Sequence, residues 1–431
     1  MGLLSLLLFL PAAGAVLLAL LPTTQAKVIR TVALVVTAVD LVLALVLWQG
    51  FNPHLGPHLG VSPFQFEETV EWIPAFQVAY HIGVDGLSLP LVVLTSLLGF
   101  LAVMVSWHIE HRAKLYFSML LLLETGVLGV FTSLDFLLFF LFWEVELLPM
   151  YLLISIWGSP PPVGRREYSA MKFLIYTIFG SAFMLVGMLA LWVSTGTFDF
   201  VKLAGMDMRG LPISATAIFW LIFAAFAVKL PVFPVHTWLP DAHTDAPTAV
   251  SVLLAGVLLK MGGYGILRIC VGLFPDVAYQ WAPTLAALAG FSVLYGGLVT
   301  LRQRDLKRLI AYSSVSHMGY VLLGVAAMGE VGITGAALQM VTHGTITGLL
   351  FAAVGLIYDK AHTRQIPELQ GLMHRMPFIG VAFMVAGFAS LGLPGLSGFV
   401  AEFMVFTGAF GVFGFATVLG VLGIVLSAAY I

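Results

Sequence analysis

Charge is the scarcest thing in this sequence. Only 9% of its 431 residues are Asp, Glu, Lys or Arg, against 60% that are hydrophobic. Soluble domains carry about a quarter charged residues, so the composition excludes an ordinary soluble globule. Cysteine is nearly missing: Cys270 stands alone, which excludes internal disulfides, cysteine-ligated clusters and multi-thiolate zinc sites. A net charge of −2 gives no basic surface for a nucleic-acid partner. GxGxxG-type loops and Walker sequences are lacking. The alternating pattern of an outer-membrane barrel is lacking as well.

What fills the chain instead is a succession of apolar runs of about 20 residues, each long enough to cross a hydrocarbon core. They fall near 2–22, 29–50, 84–107, 115–132, 136–157, 168–195, 215–239, 247–268, 281–301, 309–329, 331–357, 378–411 and 413–431. The expected fold is an all-α polytopic membrane protein with about 13 transmembrane helices in one membrane domain, 1–431. The first run mimics a signal peptide but lacks a basic start, so it reads as the first span.

Lysine and arginine set the expected orientation. The odd-numbered loops hold Lys27, Arg30, Arg112, Lys114, Arg165, Arg166, Lys172, Arg302, Arg304, Lys307, Arg308, Lys360, Arg364 and Arg375. The even loops and span ends hold only Lys202, Arg209 and Arg268. That bias places the odd loops on the cytoplasmic side and the N-terminus outside. Two of the 19 basic residues are left over, Lys229 and Lys260, and both sit in the middle of apolar runs. The chain stops at Ile431, where the thirteenth span should emerge on the basic side, yet no Lys or Arg follows. Further sequence is therefore expected beyond it.

Two runs are interrupted by proline and glycine: "VKLPVFPVHTWLPDAHTDAP" (228–247) and "SLGLPGLSGFVAEF" (390–403). Non-helical backbone survives at membrane depth only where protein or a water-filled cavity satisfies it. The breaks fall in the seventh and twelfth spans, and an offset of five reverses the direction of crossing. Paired breaks of this kind point to inverted repeats, here 115–268 and 281–431 after three N-terminal helices in 1–114.

Membrane-depth ionisable residues are expensive and mark ion pathways or proton relays. Here they are Asp40, Glu124, Glu144, Glu146, Lys229, Lys260 and Glu402, joined by His236, His317 and His343. Glu144 and Glu146 lie roughly 200° apart around a helix and cannot share a partner, so one should face the bundle interior. Pairing Glu144 with Lys229 at about 4 Å, with an effective dielectric of about 20, is worth roughly 4 kcal/mol or about 3 pKa units. Making and breaking such a pair switches Lys229 between holding and releasing a proton. A static buried salt bridge that fixes helix packing is the alternative. Lys260, in "SVLLAGVLLKMGGYG", has no carboxylate on its own span. Roles for Glu124, Glu146 and Asp40 stay open between structure and relay. His54, His58, His81, His108, His111, His243, His362 and His374 fall in loops or near span ends and are expected to be solvated.

"FWEVELLPMYLLI", "KLPVFPVHTWLPDAHTDAPTAVSVLLAGVLLKMGGYG", "LIAYSSVSHMGY" and "GLPGLSGFVAEF" together resemble the M-type subunit of proton-translocating NADH–quinone oxidoreductase, respiratory complex I, the counterpart of mitochondrial subunit 4. The likeness covers essentially the whole chain. Such subunits normally have fourteen spans. The resemblance implies an antiporter-like proton channel in the membrane arm of a bacterial inner-membrane enzyme. It implies L-type and N-type antiporter-like subunits and small membrane subunits as partners. NADH, FMN, iron–sulfur clusters and quinone would belong to partner subunits, with no redox centre in this chain. Glu144 and Lys229 look like the family's glutamate–lysine pair, Lys260 like its central lysine and Glu402 like its exit residue. His236, His317 and His343 look like its connecting histidines. Protons would enter near the fifth and seventh spans, pass Lys229, Lys260, His317 and His343, and leave by Glu402. The related subunit of a multisubunit sodium–proton antiporter or of a membrane-bound hydrogenase shares this charge row and is the nearest alternative. A haem-carrying cytochrome fits less well, because the deep histidines are scattered singly rather than paired. A scaffold of the membrane arm is a third reading.

Overall fold

The computed structural model describes residues 2–22, 25–55 and 63–431; His58 lies outside them. Lipid offers the backbone no hydrogen bonds, so an apolar chain of this kind satisfies its own as helix. Among the described residues, ten helices are long and apolar enough to cross a bilayer. Four shorter apolar helices accompany them: Ala215–Lys229, Pro377–Ser390, Ser397–Phe410 and Gly414–Tyr430. In chain order they occupy the thirteen apolar runs, the twelfth run supplying two of the short helices. Both interruptions are real breaks. Lys229 ends one helix before Trp238–Asp245 begins, and Ser390 ends another before Ser397–Phe410 begins.

The chain divides into two compact units, one of Met1–Trp157 with Thr177–Ala225, the other of Gly158–Tyr176 with Phe226–Ile431. In the first, the span Leu3–Leu20 packs against Ala26–Gly50 and Ala113–Thr132, and Ser88–Val105 packs between the latter two. Asp135 caps the fifth span by accepting hydrogen bonds from the amides of Leu137 and Leu138 at 2.9 and 3.1 Å. Asp and Ser are good caps because the first turn of a helix has free amides.

The fifth span is not continuous. It runs as Phe136–Val145 and Leu147–Trp157, with the junction at Glu146. Pro149 is the third residue of the second piece, where a missing amide hydrogen costs no helical bond. The proline thus starts a new helix segment instead of kinking an old one.

The first unit also departs from an all-helical fold. Strands β1 (Gln65–Ile73) and β2 (Val78–Val84) form an antiparallel hairpin that turns at Gln77, whose φ is +55°. Glu67, Glu68 and Glu71 make this stretch too polar to enter lipid, so its backbone pairs with itself. Glu68 caps the first span from a distance, accepting from the amides of Gly2 and Ser5 at 2.8 and 2.9 Å and from the Ser5 hydroxyl at 2.7 Å. Burial works against the Glu68 carboxylate, but these bonds outweigh it and hold its pKa below the usual range.

His81 is not solvated as expected. It is 6% exposed on β2, its Nδ1 3.1 Å from Asp199 Oδ2 and its Nε2 3.7 Å from Glu67 Oε2. Burial penalises the imidazolium, yet the hydrogen bond and charge of Asp199, followed by Glu67, raise the His81 pKa above its ordinary value. Asp199 in turn caps the short helix Phe200–Ala204, so the cluster ties the hairpin to that loop.

In the second unit, the span Thr248–Val271 is buried throughout. Its helix widens to π-type turns at Leu254–Leu258 and Ile266–Val271, which bracket the α-helical segment Leu259–Gly265 that carries Lys260. Such widened turns recur at functional sites. The spans Pro275–Thr300, Leu306–Ala326 and Glu330–Ala361 pack in sequence order, and Ser397–Phe410 lies against the last two.

Candidate functional site

Lys260 has no exposed surface, and its ammonium is not alone. It donates to the carbonyl of Ala255, five residues back, where the helix is widened. The Lys260 Nζ also lies 2.8 Å from His343 Nδ1, on the span Glu330–Ala361. A lysine beside an imidazole holds one proton that either nitrogen can carry. Lys260 has no carboxylate on its own span, and its partner is a histidine on another.

The row continues. The His343 ring centre is 5.5 Å from that of His317, on the span Leu306–Ala326. His317 Nε2 lies 3.1 Å from the hydroxyl of Ser390, which ends the first half of the twelfth span. Its Nδ1 lies 3.5 Å from Glu402 Oε1, on the second half. Lys260, His343, His317 and Glu402 are each at most 3% exposed. The break in the twelfth span is what admits Glu402. Gly392 adopts φ +75°, and a Cβ there would stand 2.3 Å from Glu402 Oε2. Only glycine fits both the left-handed backbone and the close approach. The His317–Glu402 approach is longer than a good hydrogen bond, and the separation of the His343 and His317 ring centres is of a size that a ring rotation or a single bridging water spans.

The remaining expected residues fall elsewhere. Lys229, 1% exposed, ends its helix with its Nζ 5.5 Å above the Phe173 ring. Trp238, packed 5.4 Å from the same ring, ties the two sides of the break by donating to the Val228 carbonyl at 2.9 Å. His236 lies within the break, stacked on Phe233 at 5.7 Å and edge-on to Tyr295 at 5.0 Å. Neither of its ring nitrogens has a hydrogen-bond partner among the described residues. In the first unit Glu146 is the fully buried carboxylate of the fifth span, while Glu144 is half-buried.

Two groups expected in solvated loops are buried. His243 is not solvated: it is fully buried and stacks face-on upon Phe351, centres 4.5 Å apart and rings 9° from parallel. Lys307, read as a loop residue, is 5% exposed and donates to the Ala246 carbonyl at 2.7 Å. Arg364 reaches the Thr244 carbonyl at 2.7 Å and pairs with Asp305. Both cations thus sit at the C-terminal end of Trp238–Asp245, where free carbonyls and the helix dipole favour positive charge. Treating "WLPDAHTD" as a short helix in its own right would have exposed this. By contrast His54, His108, His111, His362 and His374 are exposed as expected.

Comparison with known proteins places this arrangement. A family model described as NADH:quinone oxidoreductase/Mrp antiporter, TM, matches residues 133–427. NADH-quinone oxidoreductase subunit M of Rhodobacter capsulatus is 44% identical over the whole chain and 84% of its own length. A chain in respiratory complex I from Thermus thermophilus with bound NADH superposes with a TM-score of 0.87 at 29% identity, over 99% of this chain and 86% of that one. A chain of the Mrp complex from Dietzia gives 0.83 at 25%, over 100% and 80%. The chain therefore belongs to the NADH:quinone oxidoreductase/Mrp antiporter transmembrane family, among its M-type, chain 4 members.

Proposed function

We propose that this chain is the proton-translocating, antiporter-like subunit of the membrane arm of an NADH–quinone oxidoreductase. The observation that carries the reading is the buried row Lys260–His343–His317–Glu402, with atoms 2.8 Å apart at its first step and 3.5 Å at its last and the two imidazole centres 5.5 Å apart between them. Such a row has the chemistry to pass one proton along it: an amine, two imidazoles and a carboxylate, each able to accept and donate. Moving one charge against 100 mV requires about 2.3 kcal/mol, and a pKa change of about two units, at 1.36 kcal/mol each, supplies that. A neighbouring charge that appears and disappears is sufficient to cause it. Lys229 and His236 act as the approach to the row, Glu402 as the release group, and Glu144 as a relay carboxylate of the first unit. NADH, FMN, iron–sulfur clusters and quinone reside in partner subunits, L-type and N-type neighbours flank the chain, and the N-terminus lies outside a bacterial inner membrane. The two five-helix segments 115–268 and 281–431 act as inverted repeats.

The test is Lys260→Ala in the assembled complex, with proton uptake measured in vesicles and assembly checked by native gel. Uptake falls while assembly persists. Survival of both would leave only a scaffold. The likeness to the Mrp complex makes sodium–proton exchange the second reading, which sodium flux in the same vesicles separates.

A further inference from the structure

The first unit contains a second set of buried titratable groups, remote in sequence from the row and unused by it. Asp40 is the fifteenth residue of the 25-residue span Ala26–Gly50, and Glu124 the twelfth of the 20-residue span Ala113–Thr132. Each therefore lies at mid-membrane, and they are 0% and 2% exposed. Both meet one face of the third span. Asp40 Oδ2 accepts from the Ser96 hydroxyl at 2.6 Å. One turn on, Gly99 makes room for Glu124, whose Oε1 would stand 2.3 Å from a Cβ there. The two carboxyl groups are within hydrogen-bonding reach of one another. Asp40 Oδ1 and Glu124 Oε1 have no donor among the described residues.

Two ionised carboxylates offer only acceptors, so a hydrogen bond between them requires a proton. No Lys, Arg or His occupies the middle of the first four spans to compensate two negative charges. The first span, packed on the second and fourth, carries no titratable side chain. The fifth, packed on the fourth, adds only the further acids Glu144 and Glu146. A hard metal cation demands about six oxygen ligands, whereas two carboxyls and one hydroxyl converge here, already in mutual contact.

We propose that Asp40 and Glu124, with Ser96 as hydroxyl partner, form a proton-binding site in which one proton is held between the two carboxyl groups at membrane depth. The site is independent of the translocation reading: it holds its proton whether or not Lys260 and its neighbours conduct. It also joins the second and fourth spans through that shared hydrogen, and the Ser96 hydroxyl, donating to Asp40, adds the third.

Infrared spectroscopy of the assembled complex tests it, comparing the parent with Glu124→Gln and with Asp40→Asn. An amide supplies the hydrogen that the proton supplied, so both variants are expected to assemble. Each is expected to lose the carbonyl band of one protonated carboxyl, and the band is expected to be unchanged by added sodium. Loss of carboxylate bands alone would show two ionised groups and overturn the proposal. Disappearance of the protonated band on adding sodium would overturn it in favour of a cation site. Either variant alone gives the readout should the other fail to assemble.

Discussion

In the first unit every ionisable side chain in the middle of a span is an acid: Asp40, Glu124, Glu144 and Glu146. In the second, Lys229, Lys260, His236, His317 and His343 stand with one carboxyl, Glu402. The acids Asp40 and Glu124 meet each other and a serine, and the contact ends there. Lys260 meets a histidine that leads to another histidine and then to Glu402. An acid pair keeps a proton because neither oxygen has anywhere further to send it. A base row passes one on because His343 and His317 each have a neighbour on both sides. The difference between storing and conducting a proton lies in connectivity rather than in the kind of group.

Cutting the row at its centre should break the contrast most strongly. His317→Ala removes the link between His343 and Glu402, and losing a positioned proton-transfer group corresponds to roughly a hundredfold or greater loss of translocation. Initial proton-uptake rates in vesicles, normalised to assembled complex, read it. Two glycine substitutions sharpen the comparison. Gly392→Ala and Gly99→Ala each place a methyl 2.3 Å from a buried carboxyl oxygen, of Glu402 and Glu124 respectively. Both should destabilise by roughly 1–3 kcal/mol, as overpacked sites do. Only Gly392→Ala should also depress translocation per assembled complex, and thermal unfolding measured beside uptake distinguishes them.

Smaller effects belong to the hairpin. Glu68→Ala strips the cap from the first span and should cost about 1 kcal/mol, seen as a lowered unfolding temperature with uptake unchanged. The His81 clasp should respond to pH. Because the His81 pKa is raised by Asp199 and Glu67 over the opposing effect of burial, its contribution is fully present below the ordinary imidazole value of about 6.5. It is lost as pH rises through the raised value. Amide exchange of β2 should therefore quicken with pH in the parent beyond the intrinsic chemical increase, and His81→Ala should abolish that excess.

Much of this was legible in the sequence because lipid makes strict demands. Lys229 and Lys260 stood out by subtraction, since every other cation had a place at a span end. The two Pro/Gly breaks, and Glu402 beside the second, followed from the cost of unpaired backbone in lipid. What was not legible depended on contacts between distant segments. Lys260 finds His343 across 83 residues, and His81 finds Asp199 across 118. No local pattern announces either. His243 was misplaced because nearness to a span end suggests water, whereas it is fully buried and stacked on Phe351. The widened turns around Lys260 and the junction at Glu146 are backbone choices forced by packing, to which hydropathy is blind.

The central claim is that Lys260 and Glu402 are the two ends of one path, and a double substitution tests it most directly. Proton uptake is measured for Lys260→Ala, Glu402→Gln and the two combined, each normalised to assembled complex. Groups in series should not add, so the double variant is predicted to be no slower than the more severe single one. Losses that multiply, or either single variant pumping at the parent rate, would contradict the account.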